Sequence, residues 1–354
     1  MSTEPRPRTP TSGVLDTSGV LDEALERIHA SGPEFLGWLS NHAPMAVEAL
    51  VRHGEAGTVH RWLDRYRERL EELPAPYARI TADNRREALG DPRRITDWAR
   101  YFEREVAERP WREVLAEWWP ELLPGIAGGA THPVIRVGHA VRTLLTTEET
   151  APRTAELAHG LGYWAARHAP LPAGLRFTPA PGTAAAALDA VAPVPDQSGG
   201  ITSRLDQLTA LPGWGAGSAA PEEAAARLRE LVTVATHRYA THGHAEPTML
   251  VHAATAPNAV LRTLPALPGE LWAPSLAAAW AASAAVTAAY VPAGQAAWEG
   301  AGGAPDRTPE EIFAAAAAHG DDHTIKFTDT ALDVGDATAL TAAVRSIDLN
   351  APFR

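Results

Sequence analysis

The sequence predicts an all-α fold: one large helical domain interrupted by a long irregular connection rich in proline, alanine and glycine. Three observations carry this expectation. From Glu23 onward apolar residues recur at three- and four-residue spacing, as in Trp62, Tyr66, Leu70 and Leu73, the period of a helix with one buried face. Proline or glycine punctuates most of these segments, as at helix starts and stops. The alternation that marks a half-buried strand is nearly absent.

Taken in order, residues 1–20 read as a polar, proline-rich leader, expected to be disordered and lacking the apolar run of a secretory signal. Thr11–Asp16 and Thr17–Asp22 repeat the hexapeptide TSGVLD, which reads as slippage; no longer period follows. Residues 21–354 form the single helical domain, with helices expected at about 20–31, 33–54, 56–72, 93–108, 111–127, 133–147, 152–168, 221–242, 246–263, 268–292, 308–319 and 322–346, the last broken near Gly335. The stretch 170–220, with Pro170, Pro172, Pro179, Pro181, Pro193 and Pro195, is the irregular connection, a loop or a lid.

Composition narrows the chemistry. A formal charge of −12 argues against a nucleic-acid partner, which calls for a basic face. The chain has no cysteine, which excludes disulfides, thiolate metal sites, iron–sulfur clusters and cysteine nucleophiles. The stretch 276–291 is mostly alanine, so no membrane span is expected, and the default is a cytoplasmic protein. Of 31 basic residues all but one are arginine. The exception is Lys326, and only lysine can become a neutral amine when buried.

Fourteen histidines have to be sorted by position. His29, His53, His60, His168 and His319 lie near helix ends or on polar faces and receive no role. His42, His132, His252 and His323 lie among apolar or small residues, where an unpartnered imidazole is costly. His323 and Lys326 are three apart and share a helix face. A protonated lysine cannot bind a cation, but a neutral one takes up carbon dioxide to give a carbamate, an oxygen ligand. The alternative is that each histidine bonds a backbone carbonyl in the core while Lys326 snorkels to solvent.

Other schemes fit less well. A di-iron centre needs two Glu-x-x-His motifs, and only Glu156-Leu157-Ala158-His159 fits. His319-Gly320-Asp321 begins a facial triad with no later histidine to complete it. His237, His242 and His244 read as a polar turn. Neither Gly213-Trp214-Gly215-Ala216-Gly217 nor Gly125–Gly129 has the strand and helix of a dinucleotide fingerprint. No nucleophile elbow is present.

The motifs Asn41-His42-Ala43-Pro44-Met45, Ala130-Thr131-His132-Pro133-Val134-Ile135-Arg136, Val251-His252-Ala253-Ala254-Thr255 and His323-Thr324-Ile325-Lys326-Phe327-Thr328-Asp329 together resemble the questin oxidase-like family of aromatic polyketide and anthraquinone tailoring enzymes. The resemblance runs from about Phe35 to Asp329. It implies an oxidoreductase, an oxygenase that cleaves a carbon–carbon bond or inserts oxygen next to a quinone carbonyl, using dioxygen and a small aromatic substrate. It also implies non-heme Fe(II) held by His42, His132, His252, His323 and a carboxylated Lys326. His139, one heptad after His132, is a candidate for orienting a ligand. Met45, Tyr163 and Trp164 are candidates for a flat substrate pocket. Two further readings stand beside this one: a Baeyer–Villiger-type oxidase that uses NADPH and no bound metal, and a non-enzymatic protein that sequesters an aromatic metabolite.

Overall fold

The computed structural model describes residues 19–179, 182–215, 220–292, 294, 296 and 306–353. The predicted leader thus lies almost wholly outside the described residues. Helix α1 (Val20–His29) opens the described chain and buries Leu21, Ala24, Leu25 and Ile28, spaced as one helical face requires.

The expected helix over 33–54 is corrected. Glu34–Phe35 (β1) and Leu39–Ser40 (β2) pair antiparallel, and α2 is confined to Ala43–Arg52. Leu36 at φ 50° and Gly37 at φ 78° reverse the chain between the strands, a conformation no helix continues through. Pro44 then sits in the first turn of α2, where its missing N–H has no partner to lose.

The next helices are α3 (Val59–Tyr66), α4 (Arg85–Ala88), a single turn that was not expected, and then, in the predicted order, α5 (Ile95–Glu108), α6 (Trp111–Leu122), α7 (His132–Thr146) and α8 (Ala151–Ala166). Next come β3 (Arg176–Pro179), α9 (Ala184–Asp189), α10 (Ile201–Leu205) and β4 (Ala210–Gly213). The chain closes with α11 (Pro221–His242), α12 (Pro247–Leu250), α13 (His252–Thr263), α14 (Trp272–Tyr290), α15 (Pro309–His319), α16 (Asp322–Val334) and α17 (Ala337–Leu349). The fold is all-α, with short strand pairs only. The predicted break at Gly335 is present: that residue ends α16 at φ 74°, and the Asp336 side chain caps α17.

The connection 170–220 carries more structure than its composition suggests. β3 and β4 pair in parallel, and Leu188, Leu211 and Trp214 are buried. Trp280 of α14 donates its ring N–H to Pro212 O at 2.6 Å. α9 packs on α11, while α10 and β4 pack on α14. The described part of the connection thus packs against the helical bundle.

One segment differs from expectation in hydropathy. Gly269–Tyr290 is long and apolar enough to cross a membrane by length and composition, and 61% of an 18-residue apolar stretch within it is buried inside the fold, as for a core helix. Its alanines raise the mean hydropathy to 1.2.

Four helices bear the candidate histidines. α2 packs on α7, α7 on α13, α13 on α16, and α16 back on α2, a closed ring. Gly138 lets α7 approach α13 closely, for a Cβ there would lie 2.5 Å from the Cβ of Ala259. Gly138→Ala is expected to force these helices apart and destabilise the protein by roughly 1–3 kcal/mol, as overpacking does; a denaturant titration that leaves stability unchanged would refute the close approach.

Candidate metal centre

Each candidate histidine stands at the start of a ring helix. His42 is the residue before α2, and its backbone N–H donates to the Tyr66 hydroxyl at 2.9 Å. His132 opens α7 after three consecutive left-handed residues, Gly129, Ala130 and Thr131, with φ of 55°, 54° and 66°. For alanine and threonine that conformation costs about 1–2 kcal/mol each. It brings Gly129 O to 2.6 Å from His132 Nδ1. The preceding Gly128 has no alternative, because a Cβ would lie 1.9 Å from Arg167 O. His252 opens α13, with Nδ1 2.9 Å from Met249 O. His323 lies in the first turn of α16, where the Asp321 side chain caps Thr324 N–H at 2.8 Å.

Asp322 completes the set. Its Oδ1 lies 2.7 Å from His42 Nδ1 and 2.8 Å from His323 Nδ1. Nδ1 of His132 and of His252 thus lies at hydrogen-bond distance from a backbone carbonyl, which leaves Nε2 as the donor atom, while Nδ1 of His42 and of His323 lies at ion-pair distance from an Asp322 oxygen that makes no hydrogen bond. The bland expectation of backbone-satisfied histidines is met at His132 and His252, but through Nδ1 alone.

The imidazoles converge. Ring centroids are 4.5 Å apart for His42 and His132, 4.4 Å for His42 and His323, and 4.4 Å for His132 and His252. One ligand nitrogen each from His42, His132 and His323 falls within 4.8 Å of the others. His252 joins through Nε2, 2.8 Å from His132 Nε2, close to the ~3 Å between two nitrogens bound at right angles to one ion at ~2.1 Å. Lys326 is buried beside them, and its Nζ has no hydrogen-bond partner; nor has His42 Nε2. The hydroxyls of Thr131 and Thr324, next to His132 and His323 in sequence, and of Thr255, one helical turn after His252, are also buried and unpartnered.

Burial dominates the electrostatics. It lowers His42 to a pKa of about 3, against the pull of Asp322. Burial, the other imidazoles and the nearby Lys326 charge hold His132 and His252 well below the usual histidine value. Desolvation brings Lys326 down to about 8, with Asp322 and Asp321 opposing. Burial would raise the Asp322 carboxyl, but His42 and His323 hold it well below its ordinary value. The donor set fits a cation: four imidazoles that converge, a desolvated amine, and a carboxylate beside two of the rings.

The other candidates fall elsewhere. His139 is not in contact with the five; its Nδ1 meets Glu48 Oε2 at 2.7 Å in a separate ionic cluster, because a heptad carries it two turns down α7. Met45, Tyr163 and Trp164 are core residues. Trp164 donates to Gly125 O and packs edge-on to Trp119, while the Tyr163 hydroxyl lies 2.6 Å from Ser40 Oγ. Neither described cavity is lined by them. Glu156 is taken by Arg136 and His29, and His319 Nε2 lies 3.1 Å from Asn350 O. Sequence reasoning missed Asp322, although its place beside His323 in a first helical turn was a signal.

Fold and site define an all-helical protein with four histidines and one lysine gathered in its interior. The questin oxidase-like family model matches residues 39–168, a stretch that includes His42 and His132, and over it the resemblance read from the motifs is shown. No curated protein matches the chain. The similarity implies an oxidoreductase, of the oxygenase kind, acting on aromatic polyketides.

Proposed function

We propose that the chain is a non-heme iron-dependent oxygenase acting on an aromatic polyketide or quinone-type substrate, with carbon–carbon cleavage or oxygen insertion next to a quinone carbonyl. The observation that carries this reading is the meeting of four imidazoles with a buried, unpartnered lysine. His42, His132, His252 and His323 would hold the ion through nitrogen, and Lys326, as its carbamate, through oxygen. Bound iron(II) would supply a redox partner for dioxygen and a template for the substrate.

The chain's own residues prepare this chemistry. With a pKa near 8, on the order of a tenth of Lys326 is neutral at pH 7. That amine attacks carbon dioxide: an N–C bond forms, one proton leaves, and the carbamate carries one negative charge. α2, α7 and α16 each begin at a candidate ligand, and the positive end of a helix favours an anionic group such as the carbamate or a deprotonated phenol. Asp322 places its charge beside two of the rings. His252 is fully buried and excludes water from the inner side, whereas the His323 side chain, 12% exposed, marks the side from which a substrate would approach.

Metal analysis and oxygen uptake with a hydroquinone panel test the proposal. Wild-type protein is expected to hold about one iron per chain and to consume oxygen. His323→Ala and Lys326→Arg are expected to lose at least about a hundredfold in rate, on the order of a lost ligand or orienting group. Full turnover by metal-free protein, or by either variant, would sink it.

A further inference from the structure

A second polar cluster lies on the same four helices, six to eleven residues beyond the histidines, or roughly 9–17 Å down each axis at the helical rise. α2 contributes Glu48 and its cap His53, α7 contributes His139 and Arg142, α13 contributes Asn258 and Arg262, and α16 contributes Asp329 and Asp333. Arg142 grips Glu48 through Nε at 3.1 Å and through Nη2, and grips Asp329 through Nη1 at 2.9 Å and Nη2 at 3.0 Å. Arg262 binds Asp329 and Asp333, each at 2.7 Å. Asn258 Nδ2 donates to Asp333 at 3.0 Å, and His53 Nε2 meets Asp329 Oδ1 at 2.8 Å. Glu48, His139 and Asp329 are spaced as a metal triad could be, but the Arg142 guanidinium already bridges the two carboxylates.

We propose that this ionic cluster is a register clasp, and that Arg142 is a positioning residue for the histidine centre. The inference rests on the reading that the four histidines act together on one ion. A buried ion network is seldom the most stabilising filling of such a space, since well-packed apolar side chains of similar volume often do as well. What it provides is directional pairing: a slip of one residue along any helix turns its charge out of reach. The same four helices are thus tied at two levels, and the lower tie sets the depth at which each presents its imidazole. Burial opposes the charge on Glu48, but the Arg142 guanidinium and the His139 hydrogen bond outweigh it and bring the carboxyl down to about 2.

The test begins with metal-free protein. Glu48→Met/Arg142→Met/Asp329→Leu replaces the clasp by apolar volume, and Arg142→Lys keeps the charge while losing the fork. Histidine ring resonances are compared with wild type. Each of His42, His132, His252 and His323 is expected to give one signal set in wild type and broadened or doubled signals in both variants, with melting temperatures within about 5 °C of one another. Cobalt(II) affinity is expected to fall about 10–100-fold. Unchanged ring signals in a folded variant would overturn the clasp, and should the triple variant fail to fold, Arg142→Lys decides by the same measurement. Wild-type protein that binds no cobalt would count against the metal reading, while the ring signals would still decide the clasp.

Discussion

Lys326→Met is expected to make the metal-free protein more stable and to abolish turnover. In the wild type the ammonium is buried with no partner, and desolvation moves its pKa from 10.5 to about 8. At 1.36 kcal/mol per unit, that burial costs about 3 kcal/mol. The sign follows from linkage: with the folded pKa below the unfolded one, the unfolded chain binds the proton more tightly. The cost is therefore full below pH 8, shrinks as pH rises from 8 to 10.5, and is gone above that. Methionine fills similar volume without the charge, so at pH 7 the variant should unfold later than wild type, with the advantage fading toward pH 10. Saturating metal should reverse the order, because a ligand held at a thousand times its Kd adds about 4 kcal/mol to the protein that binds it. Thermal melts with and without iron(II), at pH 7 and pH 10, check all of this. A variant that is less stable than wild type without metal would mean that Lys326 has a structural partner and no liganding role.

Asp322→Asn should have the next largest effect. One carboxylate oxygen lies at ion-pair distance from Nδ1 of both His42 and His323, so its charge acts on two rings at once. The amide keeps the shape and loses the charge. Metal affinity is expected to drop about 10–100-fold, the usual consequence of disturbing a ligand's orienting partner. The loss should appear in the rate, with the Michaelis constant for the aromatic substrate nearly unchanged, since Asp322 is buried behind the rings. Metal titration and steady-state kinetics on the same preparation would show this. Wild-type affinity in Asp322→Asn would remove Asp322 from the centre.

Much of the centre was legible because its signals are local. A single lysine in an arginine-rich chain stands out by composition, and its three-residue distance from His323 defines a shared helix face without any tertiary knowledge. The four histidines stood out from ten others because their neighbours are apolar. Helix boundaries were legible where caps are local, as at Gly335 and Asp336, and failed where turn chemistry was overlooked, as at Leu36–Gly37. Hairpin and helix differ there by two residues with positive φ, a choice that helical spacing does not register.

Residue type and spacing alone thus determined the all-helical class and which five side chains were candidates for one site, since both depend on neighbours within a turn or two. Only the tertiary structure decided that these side chains meet, that Asp322 lies beside two of them, and that His139 belongs to a different cluster. The decisive pairs are remote in the chain: His53 and Asp329 are 276 residues apart. Contacts at that separation leave no periodic trace in the sequence, and exist only once the four helices close into a ring.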